Sequence, residues 1–269
     1  PSGGFYNYKK NEICRLKPLS KKCILCNCDS RNYVLKIYRI MRHIVQNKIV
    51  KINELNKNII SISDFSYNIL RDSISKNAKV RKIYNPIDIT GQDEFIDNIE
   101  DNKYYLYVGR ISKEKGVKYF CEAIKKLNYK GIVVGDGPQK KDLEKMYPDI
   151  EFTGWKSSDE VRQYMRKARA LIFPSIWYEG APLTILEAQK MGLPVIVSDC
   201  CAGIEFVSDD QLIFKSKNID DLVEKILKLQ KNLAYISKEV YKKSNKQYNK
   251  LYIEQIIEFY NFVGAKDES

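Results

Sequence analysis

The chain has 269 residues, a length that fits one large or two modest domains. With 44% hydrophobic and 30% charged residues it reads as a globular sequence and not a disordered tail. No apolar run approaches the roughly 18 residues of a membrane-spanning helix, and a core of this size folds without disulfides or metal. The net charge of +12 is uneven: residues 1–86 hold 18 Lys+Arg against 5 Asp+Glu, a net of +13, and the remainder is near neutral at −1. That asymmetry implies either an anionic partner for the N-terminal part, nucleic acid or an anionic membrane surface, or a solvated lysine-rich face. The start, Pro1-Ser2-Gly3-Gly4, lacks the apolar stretch of a signal peptide and lacks Met, so it reads as a cut end. The seven cysteines are then expected as reduced thiols in a cytoplasmic setting.

In chain order, residues 1–30 read as irregular. Arg31 to Val50 reads as a basic helix with Val34, Ile37, Ile40, Met41 and Ile44 on one face. Asn58–Ser63 and Val80–Tyr84 read as strands flanking a short helix, Phe65–Arg71, capped by Asp64. Residues 87–102 read as a linker, broken by Gly91 and carrying six acidic side chains (Asp88, Asp93, Glu94, Asp97, Glu100 and Asp101). From residue 103 strands and helices alternate. The predicted strands are Tyr104–Val108, Ile132–Val134, Ile150–Thr153, Leu171–Phe173, Pro194–Val197 and Leu212–Phe214. The predicted helices are Val117–Leu127, Gln139–Met146, a helix to Ala168 opened by the capping box Ser157-x-x-Glu160, and Pro182–Met191. Such alternation predicts an α/β fold with a parallel sheet covered on both faces. Leu251–Val263 reads as a last helix, apolar enough to pack against something large.

Ligands of such sheets bind beyond the carboxyl ends of the strands, and four segments fall there. In Gly109–Gly116, Gly109 permits close backbone approach and Arg110 and Lys115 carry charge suited to a phosphate or diphosphate; the same residues also suit an ordinary charged loop. Gly135-Asp136-Gly137-Pro138 is a tight turn, and Lys140 stands where a GxGxxG motif would need its third glycine. In Thr153-Gly154-Trp155-Lys156, Trp155 is either a flank for a nucleobase or a half-buried core residue. Pro174 to Ala188 is the richest. Gly180, Ala181, Pro182 and Leu183 form a helix N-terminus that favours a phosphate. Glu179 and Glu187 would lie about 12 Å apart on a continuous helix, too far for a glycosidase-type carboxylate pair at about 5 Å but suited to two ends of one long ligand. The other reading is a capping Glu179 and a surface Glu187.

Tyr107-Val108-Gly109-Arg110 with Lys115-Gly116, Gly135-Asp136-Gly137-Pro138, Phe152-Thr153-Gly154, and Glu179-Gly180-x-Pro182 with Glu187 together resemble the family 4 retaining glycosyltransferases, in order and spacing throughout residues 103–207. The resemblance implies a GT-B architecture of two Rossmann-like domains with a nucleotide diphosphate sugar between them. Arg110 and Lys115 would hold the diphosphate, helped by backbone amides of Gly180–Leu183. Glu187 would bind ribose hydroxyls, Glu179 would contact the transferred sugar, and Gly109, Gly135, Gly154 and Trp155 would border the donor. Arg110, Lys115 and Glu179 are the expected catalytic set, in a hexosyltransferase needing no metal or other cofactor. The implied organisation is a partial acceptor-side domain over 1–86, a linker over 87–102, a donor domain over 103–247, and a helix over 248–269 crossing back. Residues 1–86 resemble only the second half of an acceptor domain, so a donor-binding fragment without transfer activity is the alternative.

Cys14, Cys23, Cys26 and Cys28 have spacings that could serve four-thiolate zinc, although the single residue between the last two is tight for neighbouring ligands. They also resemble cysteines in the acceptor-side insertion of some bacterial family members. His43, the one histidine, reads as a surface or half-packed residue. The expected acceptor is a glycan or lipid-linked sugar of bacterial surface polysaccharide synthesis, with the basic region at the inner face of the plasma membrane. Nucleic acid is not an expected partner, because residues 103–269 are nearly neutral.

Overall fold

A computed structural model describes residues 6–14, 16–17, 19–86, 95–207, 209–247 and 252–264. The chain divides into two compact units, Pro1–Tyr84 with Ile256–Ser269, and Asn85–Gln255.

The first unit opens with a two-stranded antiparallel pair, β1 (Tyr6–Asn7) and β2 (Glu12–Ile13), then α1 (Lys21–Leu25), capped by the Ser20 side chain. Residues 1–30 are thus less irregular than their composition suggests. α2 (Tyr33–Ile44) runs on into a π-helical turn over Val45–Ile49, followed by α3 (Ile52–Leu55). Only part of the expected apolar face of α2 is buried, through Ile40 and half-buried Ile37. Val34 is 73% exposed, and Met41 and Ile44 are also exposed, whereas Lys36 and Ile40 are buried. The cause is local: the Lys36 ammonium donates to the carbonyls of Cys23 and Cys26, and the Arg39 guanidinium pairs with buried Asp29. A buried cation needs such partners, and they draw Lys36 inward beside Ile40. β3 (Asn58–Ser61) and β4 (Lys79–Lys82) pair in parallel. Between them α4 (Asp64–Leu70) is capped by Ser63, whose hydroxyl accepts from the Ser66 amide; Asp64, the expected cap, is already helical.

The tail of the expected linker is part of the second unit's core. Ile96 and Ile99 are buried, and the Ile96 amide donates to the Met191 carbonyl at 3.0 Å; residues 87–94 lie outside the described set. The elements then follow as β5 (Tyr104–Val108), α5 (Val117–Leu127), β6 (Lys130–Val134), α6 (Lys140–Met146), β7 (Glu151–Gly154), α7 (Ser158–Arg166), β8 (Ala168–Phe173), α8 (Leu183–Lys190), β9 (Val195–Ser198), β10 (Ile213–Phe214), α9 (Ile219–Lys231) and α10 (Leu233–Gln247). The Ser157–Glu160 capping box is formed, but α7 stops at Arg166 so that Ala168 can open β8. α9 and α10 are helices that the motif-centred reading passed over. α11 (Tyr252–Gly264) buries only Phe259 among its described residues, against the expected broad packed face. Its second half belongs to the first unit, with Arg81 paired to Glu258 at 2.7 Å and the Lys79 ammonium 5.2 Å from the Phe262 ring centre.

The six strands of the second unit form one wholly parallel sheet in the order β10-β9-β8-β5-β6-β7. Strands covered on both faces read as apolar runs. Accordingly β9 is buried throughout, as are the last four residues of both β6 and β8. Counted within the unit, the order is that of doubly wound dinucleotide-type sheets, and its direction of winding reverses between β5 and β8.

Gly135 holds the loops beyond this sheet together. Its φ is +141°, and a Cβ there would stand 2.0 Å from the Gly109 carbonyl oxygen. Gly135→Ala is therefore expected to cost on the order of 2–3 kcal/mol through backbone strain and overpacking. Urea unfolding checks this: the midpoint falls, and the slope stays constant if only native packing is affected.

Candidate active site at the sheet's switch point

The reversal leaves a crevice at the carboxyl ends of β5 and β8. The loop after β5 carries Gly109, Arg110 and Lys115, and the loop after β8 carries Ser175, Glu179 and Gly180. The two loops touch through backbone. Ile176 N–H donates to the Glu114 carbonyl at 2.9 Å, and a Cβ on Gly116, whose φ is +70°, would stand 2.0 Å from the Pro174 carbonyl oxygen. The Gly135–Pro138 turn joins the first loop, with Ile111 N–H donating to Asp136 O at 2.8 Å. Gly135 N–H also donates to Gly154 O at 2.8 Å, so the segments around 109, 135 and 154 are brought together.

Lys115 and Glu179 meet across the crevice. The ammonium is 2.5 Å from Glu179 Oε1, and the two side chains are only 28% and 15% exposed. The Ser175 hydroxyl donates to the same oxygen at 2.8 Å. Arg110 is exposed, and among the described residues its guanidinium is in no ion pair. Its main chain is fixed from beneath by Tyr107, whose hydroxyl donates to the Arg110 carbonyl at 2.9 Å. Burial, then the nearby Glu179 and Glu114 charges, push the Tyr107 phenol far up, so it stays a donor. The loop after β9 closes the third side, with Ala202 N–H donating to Glu179 O at 3.0 Å.

α8 starts at Leu183 with Pro182 in the cap position, one residue later than expected, and no side chain caps it. The backbone of Gly180–Leu183 therefore leads into an amide-rich helix end, and half-buried Glu187 lies one turn inside. Glu179 precedes the helix, so the 12 Å helical spacing does not apply to this pair. Trp155 is 77% exposed, not a core residue. His43 is half-buried in the first unit, where Asn47 Nδ2 lies 2.9 Å from its Nδ1, and burial lowers its pKa. Cys14, Cys23 and Cys26 are in no disulfide. Among the described residues no three His, Cys, Asp or Glu side chains are grouped to hold a metal ion. Sequence reasoning missed Tyr107 and Ser175 as supports of the site; a hydroxyl residue four positions before Glu179 was the available signal.

A doubly wound parallel sheet of this order is of the α/β class in which ligands bind at the switch point, where Lys115 and Glu179 meet. The sequence profile of the group 1 glycosyl transferases matches residues 89–248, more than half of the chain, and the chain belongs to that family. It is 33% identical over 181 residues to an uncharacterized glycosyltransferase of Methanocaldococcus jannaschii, covering 65% of this chain and 50% of that protein. It is 29% identical over 144 residues to the Escherichia coli UDP-Gal:α-D-GlcNAc-diphosphoundecaprenol α-1,3-galactosyltransferase, covering 46% and 36%. Anabaena HepE, solved in complex with UDP-glucose, superposes with a TM-score of 0.66 at 18% identity over 82% of this chain and 68% of that one. The fold is GT-B-like, and the chain spans half or less of the length of these curated relatives.

Burial raises the Cys201 thiol, beside the site, from 9.0 to about 12, and does the same to Cys121. Below pH 9 both folded and unfolded thiols hold their protons. Between pH 9 and 12 the unfolded chain releases them while the folded chain retains them, so stability falls as pH rises. Each thiol is expected to cost roughly 2 kcal/mol at pH 11. Urea midpoints from pH 8 to 11 check this, and the Cys121→Ala/Cys201→Ala double variant should show a shallower alkaline decline.

Proposed function

We propose that the switch-point site binds a nucleotide diphosphate sugar and transfers its sugar, a hexose-type unit, with retention to a glycan or lipid-linked acceptor. One observation carries this reading: Lys115 and Glu179 are paired between the loops after β5 and β8, and the first of these loops also carries exposed Arg110, in no ion pair among the described residues. UDP is the first nucleotide to test, because the names of the E. coli relative and the Anabaena structure carry it. The donor is the only small molecule this reaction requires; no metal or other cofactor enters the proposal.

In the proposed reaction the bond between the anomeric carbon and the diphosphate oxygen breaks. Negative charge develops on that oxygen, stabilised by Arg110, Lys115 and the amides at Gly180–Leu183. The acceptor hydroxyl bonds to the anomeric carbon on the face the diphosphate leaves, and its proton passes to the departing phosphate. Glu179 lies beside the cationic sugar, Glu187 holds the ribose, and exposed Trp155 with Gly109, Gly135 and Gly154 borders the nucleoside. Polysaccharide or lipid-linked synthesis is the setting that the relatives' names suggest. The net +13 of residues 1–86 suits an anionic bilayer at the cytoplasmic face, with the protein peripheral to it; no helix among the described residues is long and apolar enough to cross a membrane. A second reading, donor binding without transfer, is favoured by the small first unit, in which β3 and β4 are the only parallel pair among the described residues.

Thermal unfolding with UDP, GDP, ADP and their sugar conjugates tests the donor. A ligand at a hundred times its dissociation constant should add about 2.7 kcal/mol. Arg110→Ala and Glu187→Ala are each expected to weaken binding about tenfold. No shift with any nucleotide would overturn the reading. A shift without sugar transfer to lipid-linked acceptors would select the second one.

A further inference from the structure

We propose that Ser175 is the positioning residue of Glu179, and the one that holds this carboxylate when donor is bound; the inference rests on the donor reading above. Ser175 is 1% exposed. Its Oγ accepts from Trp177 N–H at 3.3 Å and donates to Glu179 Oε1 at 2.8 Å. The Glu114 carbonyl is also in reach at 3.4 Å. A hydroxyl has one proton, and the shorter bond to a charged acceptor takes it. Ser175 is itself anchored to the end of β9, because its carbonyl accepts from the Ser198 hydroxyl and from the Cys200 thiol, the latter at 3.2 Å. Burial raises the Cys200 pKa, which keeps its proton on sulfur.

Lys115 and Ser175 both hold Oε1, and among the described residues Oε2 has no hydrogen-bond partner. Oε2 is thus the oxygen left for a sugar hydroxyl. The two holders differ in what a donor does to them. A diphosphate competes for the half-buried ammonium of Lys115, whereas the buried hydroxyl of Ser175 has only the longer contact to the Glu114 carbonyl, at 3.4 Å, as an alternative. With donor in place, Ser175 alone keeps Glu179 from swinging to another rotamer.

The test is calorimetric binding of UDP and of UDP-glucose, UDP-galactose and UDP-N-acetylglucosamine to the unchanged chain, Ser175→Ala, Glu179→Gln and the double variant, with thermal unfolding as the check on folding. Ser175→Ala should leave UDP affinity within twofold and weaken the best UDP-sugar about tenfold. In the Glu179→Gln background the same change should have no further effect, a coupling that a merely structural role would not produce. Loss on Ser175→Ala that persists undiminished in that background, or no loss at all, overturns the positioning role while the donor reading stands. Sugar-nucleotide affinity untouched by Glu179→Gln overturns the role given to Glu179, and that of Ser175 with it. No binding to the unchanged chain overturns the donor reading itself.

Discussion

The reversal of winding between β5 and β8 is the constraint on which the second unit's chemistry depends. Helices that leave adjacent parallel strands toward opposite faces of a sheet leave nothing above the strand ends. Every loop that reaches this gap must then close it from the side. The chain does so with backbone: Gly116 lies against Pro174, Gly135 lies against Gly109, and Ala202 is bonded to Glu179. Side chains of larger residues at Gly116 or Gly135 would hold the loops apart. The glycines therefore act as contacts between loops first, and as room for a ligand second.

Within that frame the Lys115–Glu179 pair has a double character. Two half-enclosed opposite charges at 2.5 Å stabilise each other more than an exposed pair would. The same pairing neutralises a crevice that would otherwise hold unscreened cations. On the proposed donor reading, a diphosphate would compete with the Glu179 carboxylate for the Lys115 ammonium.

The alternating strands and helices from residue 103 onward were legible because buried parallel strands are short apolar runs set off by glycine, proline and capping residues. Ser157-x-x-Glu160 opened α7 where its pattern put it, and Gly109, Gly135 and Gly154 came together as their loops required. What periodicity could not carry was direction. α2 has a clean apolar stripe, yet it turns Lys36 and Arg39 inward, because the carbonyls of Cys23 and Cys26 and the Asp29 carboxylate wait there. A stripe records that one face differs from the other, not which neighbour lies across it. Trp155 eluded the reading for the same reason, since its indole follows the turn at Gly154 and not the sheet.

The contrast between the two units follows from what each has to bury. The second unit closes on itself: β6, β8 and β9 find apolar cover on both faces, and even the acidic segment before β5 contributes Ile96 and Ile99 to that core. Among the described residues the first unit has two short parallel strands and a two-stranded antiparallel pair, and two-stranded sheets have little independent stability. Beside buried Tyr6, Ile40, Ile83 and Phe259 it adds polar ties, a buried ammonium on carbonyls and a buried carboxylate on guanidinium. Such ties are directional and unforgiving of loss, because removing one partner strands the other in a dry site. The second unit is thus held chiefly by apolar area, whereas the first adds a few charged contacts to a smaller set of buried apolar residues.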